Sequence, residues 1–253
     1  MPENTDANDH VKPYVYETLT TKALHFSISE IQSRMQSLRP DALDLEYTRT
    51  MMGLLLFNSQ PDTLAMIGLG GGSLAKFCYR HLPSTRIKVI EINPHVIALR
   101  DEFRVPPDDA RFNVRRGDGA DFVRFPPYRF DVLMVDGFDS EGQPPALCSQ
   151  RFYDDCHDAL QPDGIMVANL HAAHRLHKTF VSRIRRSFGE EVLVVGDADG
   201  CNSIVFACKG RLLRRFKPSP LRKPRQFDQQ TWDELMPAFA TVVSAVQRQH
   251  EAE

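Results

Sequence analysis

Among 253 residues there are only five cysteines, one tryptophan and almost no net charge, formally −2. The cysteines (Cys78, Cys148, Cys156, Cys201, Cys208) are odd in number and form no CxxC pair. That argues against a disulfide framework and against a zinc ribbon. No run approaches the roughly 20 apolar residues of a membrane-spanning helix, so no membrane association is expected. The start, MPENTDANDH, has no basic segment leading into an apolar one, so no export signal is read there and the expected address is the cytoplasm. With 14 glycines and 17 prolines, collagen-like and mucin-like readings are excluded. What is present, 42% hydrophobic and 25% charged residues, suits a globular chain with a full core.

The small net charge conceals an asymmetry. The stretch RLLRRFKPSPLRKPRQF collects Arg211, Arg214, Arg215, Lys217, Arg222, Lys223 and Arg225, leaving the rest of the chain acidic. Without interleaved aromatic platforms for bases, the stretch reads as a solvated linker over 210–227, and no nucleic-acid partner is expected.

Residues 1–12 lack periodicity and read as a disordered tail. From 13 to 44, alternating residues (Tyr14, Tyr16; Ala23, His25, Ser27 against Leu24, Phe26, Ile28) predict two or three short strands, a small β annex. A largely buried helix is expected from Leu45 to Phe57. Strands at Thr63–Ile67, Ile87–Ile90, Phe112–Arg115, Asp131–Val135 and Ile165–Leu170 then alternate with helices. Those helices are Ser73–His81, one opened by Pro94, Ser149–Leu160 and Leu176–Phe188. This is the pattern of a parallel sheet covered on both faces. Val192–Val195 and Ser203–Ala207 flank Asp197-Ala198-Asp199-Gly200, a hairpin that inserts the last strand antiparallel. The expected fold over 45–209 is therefore α/β, a seven-stranded, mostly parallel, Rossmann-like sheet of the S-adenosylmethionine-dependent methyltransferase type. Over 228–253, Trp232, Leu235, Met236, Phe239, Val242, Val243 and Val246 mark a terminal amphipathic helix.

The sharpest motif is Ile67-Gly68-Leu69-Gly70-Gly71-Gly72-Ser73, leaving a strand and entering a helix. Gly68, Gly70 and Gly72 permit positive φ and close backbone approach to a ligand. About 20 residues on, Glu91 ends the next strand, where an acid typically receives ribose hydroxyls. Gly117-Asp118-Gly119 follows the third strand. Asp118 is placed either to accept a hydrogen bond from an adenine amino group or to cap the helix Ala120–Val123. Strand four ends in Asp136-Gly137-Phe138-Asp139. At the edge of an open sheet, beside a nucleoside, such acids can take a proton or hold a cation; in isolation they would read as a self-capped turn. His171, His174 and His177 recur at helical spacing, but no acid or cysteine completes a tetrahedral metal set, so no metal is expected.

Together these residues resemble the spermidine synthase (polyamine aminopropyltransferase) family over about residues 30–209. The likeness also rests on Leu45-Glu46-Tyr47-Thr48-Arg49, Glu91-Ile92-Asn93-Pro94, Arg151-Phe152-Tyr153 and Leu160-Gln161-Pro162-Asp163-Gly164. The resemblance implies transfer of an aminopropyl group from decarboxylated S-adenosylmethionine to a polyamine such as putrescine, by a homodimer. It implies that Glu91 holds the ribose, Asp118 and Gly119 the adenine, Asp136 the attacking amine and Asp139 the far ammonium, with Gln32 and Tyr47 lining the amine slot. The sequence also departs from the family. Gly71 stands where synthases usually carry an Asp for the donor's amino end, Asp139-Ser140 replaces an Asp-Pro, and Gly200-Cys201-Asn202-Ser203 replaces a Tyr-Pro-Ser-Gly segment. Two alternatives follow from these departures: a methyltransferase using intact S-adenosylmethionine, or a non-catalytic nucleoside-binding relative.

Overall fold

The computed structural model describes residues 10–26, 31–139, 142–197 and 200–252. The tail reading over residues 1–9, the strand positions Ser27 and Ile28, and Ser140, Ala198 and Asp199 lie outside the described residues.

The annex is a three-stranded antiparallel sheet of β1 (Tyr14–Glu17), β2 (Thr21–His25) and β3 (Ile31–Gln36). The helix expected from Leu45 is α1 (Glu46–Met51), which tightens into a 3-10 turn over Met52–Leu56. The tightening begins beside Gly53, where a Cβ would lie 2.8 Å from Val242 Cγ2. Glycine there lets the C-terminal helix lie directly on the backbone.

The alternation then runs β4 (Thr63–Ile67), α2 (Ser73–His81), β5 (Arg86–Glu91), α3 (Pro94–Ala98), β6 (Phe112–Arg116), α4 (Gly119–Arg124) and β7 (Phe130–Val135). It continues through α5 (Gln150–Ala159), β8 (Leu160–His171), α6 (His177–Phe188), β9 (Val192–Gly196) and β10 (Asn202–Cys208). Local chemistry sets the helix starts. Asn93 caps α3 through His95 N at 2.9 Å with Pro94 in the first turn, and Ser149 caps α5 through Phe152 N at 3.0 Å.

The large sheet has the order β6-β5-β4-β7-β8-β10-β9. Strands β4 to β8 pair in parallel, and β10 runs antiparallel between β8 and β9. This is the expected seven-stranded, methyltransferase-like Rossmann arrangement. Its order reverses between β4 and β5 on one side and β4 and β7 on the other, so the carboxyl ends of these strands open a crevice. Period-two alternation divides the core. Leu64, Met66, Val132 and Met134 face the annex, α1, α2 and the C-terminal helix, whereas Ala65, Ile67, Leu133 and Val135 face α5 and α6.

After β10 the basic stretch does not float free. A short helix α7 (Leu212–Arg215) buries Leu213, whose N–H donates to Glu191 Oε2 at 2.9 Å. Phe216 packs on Phe57, and Phe227 packs on Phe77 and His81. Arg214 pairs with Glu190 and Glu191. The apolar side chains thus pin the segment while Arg211, Lys217, Arg222 and Arg225 remain exposed. The final helix α8 (Gln229–Ala252) covers the first core face through Leu235, Phe239, Val242 and Val246, and Glu234 pairs with Arg39. Among the described residues no helix is long and apolar enough to cross a membrane.

Candidate active site

A cavity of about 720 Å³ opens at the carboxyl edge of the sheet, within the range of small-ligand pockets. Its walls bring together Gln32, Tyr47, Gly68, Gly70, Glu91, Asp118, Gly119, Asp136 and Asp139, residues spread over more than a hundred positions of sequence.

The glycine turn is built by backbone geometry. Gly68 has φ +95°, and a Cβ there would lie 2.2 Å from the carbonyl oxygen of Asp136. The turn after β4 and the end of β7 therefore touch, joining two walls of the cavity. Gly72, grouped with the other glycines from sequence, does not line the cavity. At φ +69° it is the left-handed N-cap of α2, and a Cβ would strike Val105 Cγ2 at 2.5 Å. Its role is in packing.

Glu91 is 8% exposed, and both carboxylate oxygens accept backbone amides: Oε2 from Leu69 N and Oε1 from Asn93 N, each at 2.8 Å. Burial pushes its pKa up, and these amide bonds oppose that rise. Glu91 therefore ties the glycine turn to the start of α3, and its remaining lone pairs can accept further hydroxyl hydrogens. Asp118 is exposed in the cavity wall and also caps α4 through Ala120 N at 2.7 Å. The capping reading of Asp118 is thus met, in a residue that also lines the cavity. Gly119 allows the same turn to sit on β4, since a Cβ would lie 2.4 Å from Ile67 Cγ2.

Asp136 stands at the end of β7, half-buried, with each carboxylate oxygen held by a neutral donor. Tyr47 Oη donates to Oδ2 at 3.1 Å, and Asn169 Nδ2 donates to Oδ1 at 2.9 Å. Burial raises the Asp136 pKa, while the two hydrogen bonds pull it down. Tyr47 is pushed well above its ordinary value by burial and by the adjacent carboxylate, so it remains a hydrogen-bond donor at any physiological pH. Asp139 is exposed at the rim, its backbone bridged to Gly142. Gln32 reaches the wall from β3, so the short annex does contribute to the cavity.

Sequence reasoning missed Asn169, Ser33, Ser73 and Asp197. A polar residue inside the apolar run Ile165–Leu170 was the available signal for Asn169. It is 3% exposed, and its Oδ1 is buried without a hydrogen-bond partner among the described residues. Ser33 and Ser73 approach each other hydroxyl to hydroxyl at 3.2 Å beside Gly70.

The wall has a one-sided electrostatic character. Glu46, Glu91, Asp118, Asp136, Asp139 and Asp197 line it, and among the described residues no lysine or arginine does. Such a cavity favours cationic ligands and disfavours anions. Of the three histidines, only His171 reaches the cavity; His174 stacks on Phe180.

Comparison with known proteins places this arrangement. The family model "Spermine/spermidine synthase domain" matches residues 44–198. This chain belongs to the spermine/spermidine synthase family. The polyamine aminopropyltransferase of Neisseria meningitidis serogroup A is 38% identical over 174 residues, covering 68% of this chain and 66% of that enzyme. The chain thus spans slightly under two thirds of that relative's length. A probable spermidine synthase from Corynebacterium glutamicum shares the fold with a TM-score of 0.68 at 19% identity, over 93% of this chain and 89% of that one. Human methyltransferase-like protein 13, solved with SAH, shares it at 0.60 and 23% identity, over 79% and 93%. Gly71 is closely enclosed: a Cβ there would lie 2.7 Å from Ser33 Oγ and 2.8 Å from Phe103 Cδ1, so a larger residue would require these neighbours to move.

Proposed function

We propose that this chain transfers the aminopropyl group of decarboxylated S-adenosylmethionine to an amine such as putrescine. The observation that carries this reading is a cavity wall with six carboxylates and, among the described residues, no lysine or arginine, with one of the six, Asp136, fixed by two neutral donors. Donor and acceptor are both cations, and a lysine or arginine in the wall would repel each.

In this reading Glu91 receives the ribose hydroxyls, the Asp118-Gly119 turn the adenine edge, and the glycine turn the backbone side of the nucleoside. The acceptor amine lies against Asp136, with Tyr47 and Gln32 beside it and Asp139 at its far ammonium. An alkylammonium of pKa about 10 has no lone pair, so one proton must leave before attack. Asp136, raised by burial, is a better local acceptor than an exposed carboxylate, although the proton passes on to water. The nitrogen lone pair then forms a C–N bond to the propyl carbon attached to sulfur. The C–S bond breaks, its electron pair stays on sulfur, and neutral methylthioadenosine leaves.

A second reading, methyl transfer from intact S-adenosylmethionine, is favoured by one observation. At Gly71 the donor-tail end is lined by the uncharged Ser33 and Ser73, which would not repel a methionine carboxylate. Calorimetric titration separates the two. The proposal expects decarboxylated S-adenosylmethionine to bind more tightly than the intact form, and preference for the intact form would remove the aminopropyl assignment.

A further inference from the structure

One wall of the cavity comes from residues that lie well outside the 44–198 stretch matched by the family model. His10 and Val11, ahead of β1, both line it. Tyr14 pairs with His25 at the end of β2, so the chain preceding Tyr14 passes beside Phe26, itself a lining residue. It then meets the turn between β5 and α3. There Asn93 Nδ2 donates to Val11 O at 2.8 Å, across 82 positions of sequence.

Asn93 is a fixed anchor. It is 6% exposed, its N–H donates to Glu91 Oε1 at 2.8 Å, and its Oδ1 accepts from His95 N at 2.9 Å. One residue thus holds both Glu91 and the backbone of the strap, which places His10 at the Glu91 end of the cavity. His10 Nε2 is buried and, among the described residues, has no hydrogen-bond partner. A ring nitrogen left unsatisfied in the wall of a cavity calls for a partner from the cavity's occupant. An imidazole nitrogen donates or accepts according to its tautomer, and a hydroxyl group meets either need.

We infer that His10 and Val11 form a strap over the ribose of the bound nucleoside, anchored by Asn93, and that His10 Nε2 hydrogen-bonds a ribose hydroxyl beside Glu91. This rests on the nucleoside half of the reading above, which aminopropyl and methyl transfer share. The two side chains complement each other. As a carboxylate Glu91 only accepts, whereas a ribose hydroxyl also carries lone pairs, and the Nε2–H tautomer of His10 donates to them.

Calorimetric titration of the full chain and its H10A and H10Q variants tests this, with methylthioadenosine and its 2′-deoxy and 3′-deoxy forms as probes. H10A should bind methylthioadenosine about 10-fold more weakly than the parent, the size of one lost hydrogen bond to a buried group. H10Q, whose side-chain amide can replace Nε2, should recover most of that loss. With the deoxy form that lacks the hydroxyl met by His10, parent and H10A should agree within about two-fold. Comparing ligands on one variant cancels any effect of the substitution on folding. A methylthioadenosine affinity that moves less than about two-fold in H10A, or an equal loss for all three ligands, overturns the His10 assignment and leaves the nucleoside reading intact. A parent that binds none of the three overturns the nucleoside reading itself, and this inference with it.

Discussion

Asp136→Asn is expected to lower the rate of aminopropyl transfer by about 10²–10⁴, the range for loss of a positioned acid–base group. Affinity for methylthioadenosine should stay essentially unchanged, because the nucleoside side of the cavity is built from the glycine turn, Glu91 and the turn at Asp118. Stability gives the control. A carboxyl whose folded pKa lies above its unfolded value contributes stability when protonated, and that contribution is lost as pH rises through the folded value. Burial raises Asp136 in this way, so at neutral pH its ionised form is a net cost to the fold. The variant should therefore melt at or above the parent's temperature at pH 7 while losing activity. In the parent, the acid limb of the pH–rate profile should lie above the ordinary carboxylate range, and it should vanish from the residual activity of the variant. A destabilised variant with proportionate loss of activity would make Asp136 a structural residue.

Gly68→Ala should be the most damaging single change in the site, costing at least about 3 kcal/mol. Two effects add there: φ +95° is a conformation that side chains rarely adopt, and the added Cβ would sit 2.2 Å from the Asp136 carbonyl oxygen. That neighbour is backbone at the end of a central strand, so it cannot swing aside. Relief has to move the glycine turn or Asp136, and nucleoside binding and transfer should fall together. Gly196→Ala is the matched control. Nothing lies within 4 Å of a Cβ there and its φ is not in the left-handed range, so urea denaturation should register a change within about 0.5 kcal/mol. Equal effects at the two positions would refute the close contact between the turn and β7.

These two positions also show why part of the site was legible in the sequence. Gly68, Glu91, Asp118 and Asp136 each lie at, or within two residues of, the carboxyl end of a strand of the alternation, and a parallel sheet delivers every strand end to the same edge. Their convergence follows from local pattern plus topology. Asn169 and Asp197 needed more. Asn169 sits inside a buried strand, where only its position opposite Asp136 marks it as part of the cavity wall. Asp197 occupies a hairpin, where an acid ordinarily reads as a turn former. Its place in the wall depends on the strand order β8-β10-β9, which periodicity does not encode. Gly72 errs in the other direction: within the motif it looks like its neighbours, yet the contact that requires glycine there is with Val105, 33 residues on. The basic stretch reads from sequence by its charges, while its placement follows from Leu213, Phe216 and Phe227, apolar residues too sparse along the stretch to form a helical or strand stripe.

Transfer itself is the most direct measurement. The chain should be incubated with decarboxylated S-adenosylmethionine and an amine acceptor, and both products quantified by mass spectrometry. The account predicts methylthioadenosine and aminopropylated amine in equal amounts, with neither formed by Asp136→Asn above its reduced rate. Contradiction would be the absence of both products, together with conversion of intact S-adenosylmethionine to S-adenosylhomocysteine and methyl transfer to an acceptor.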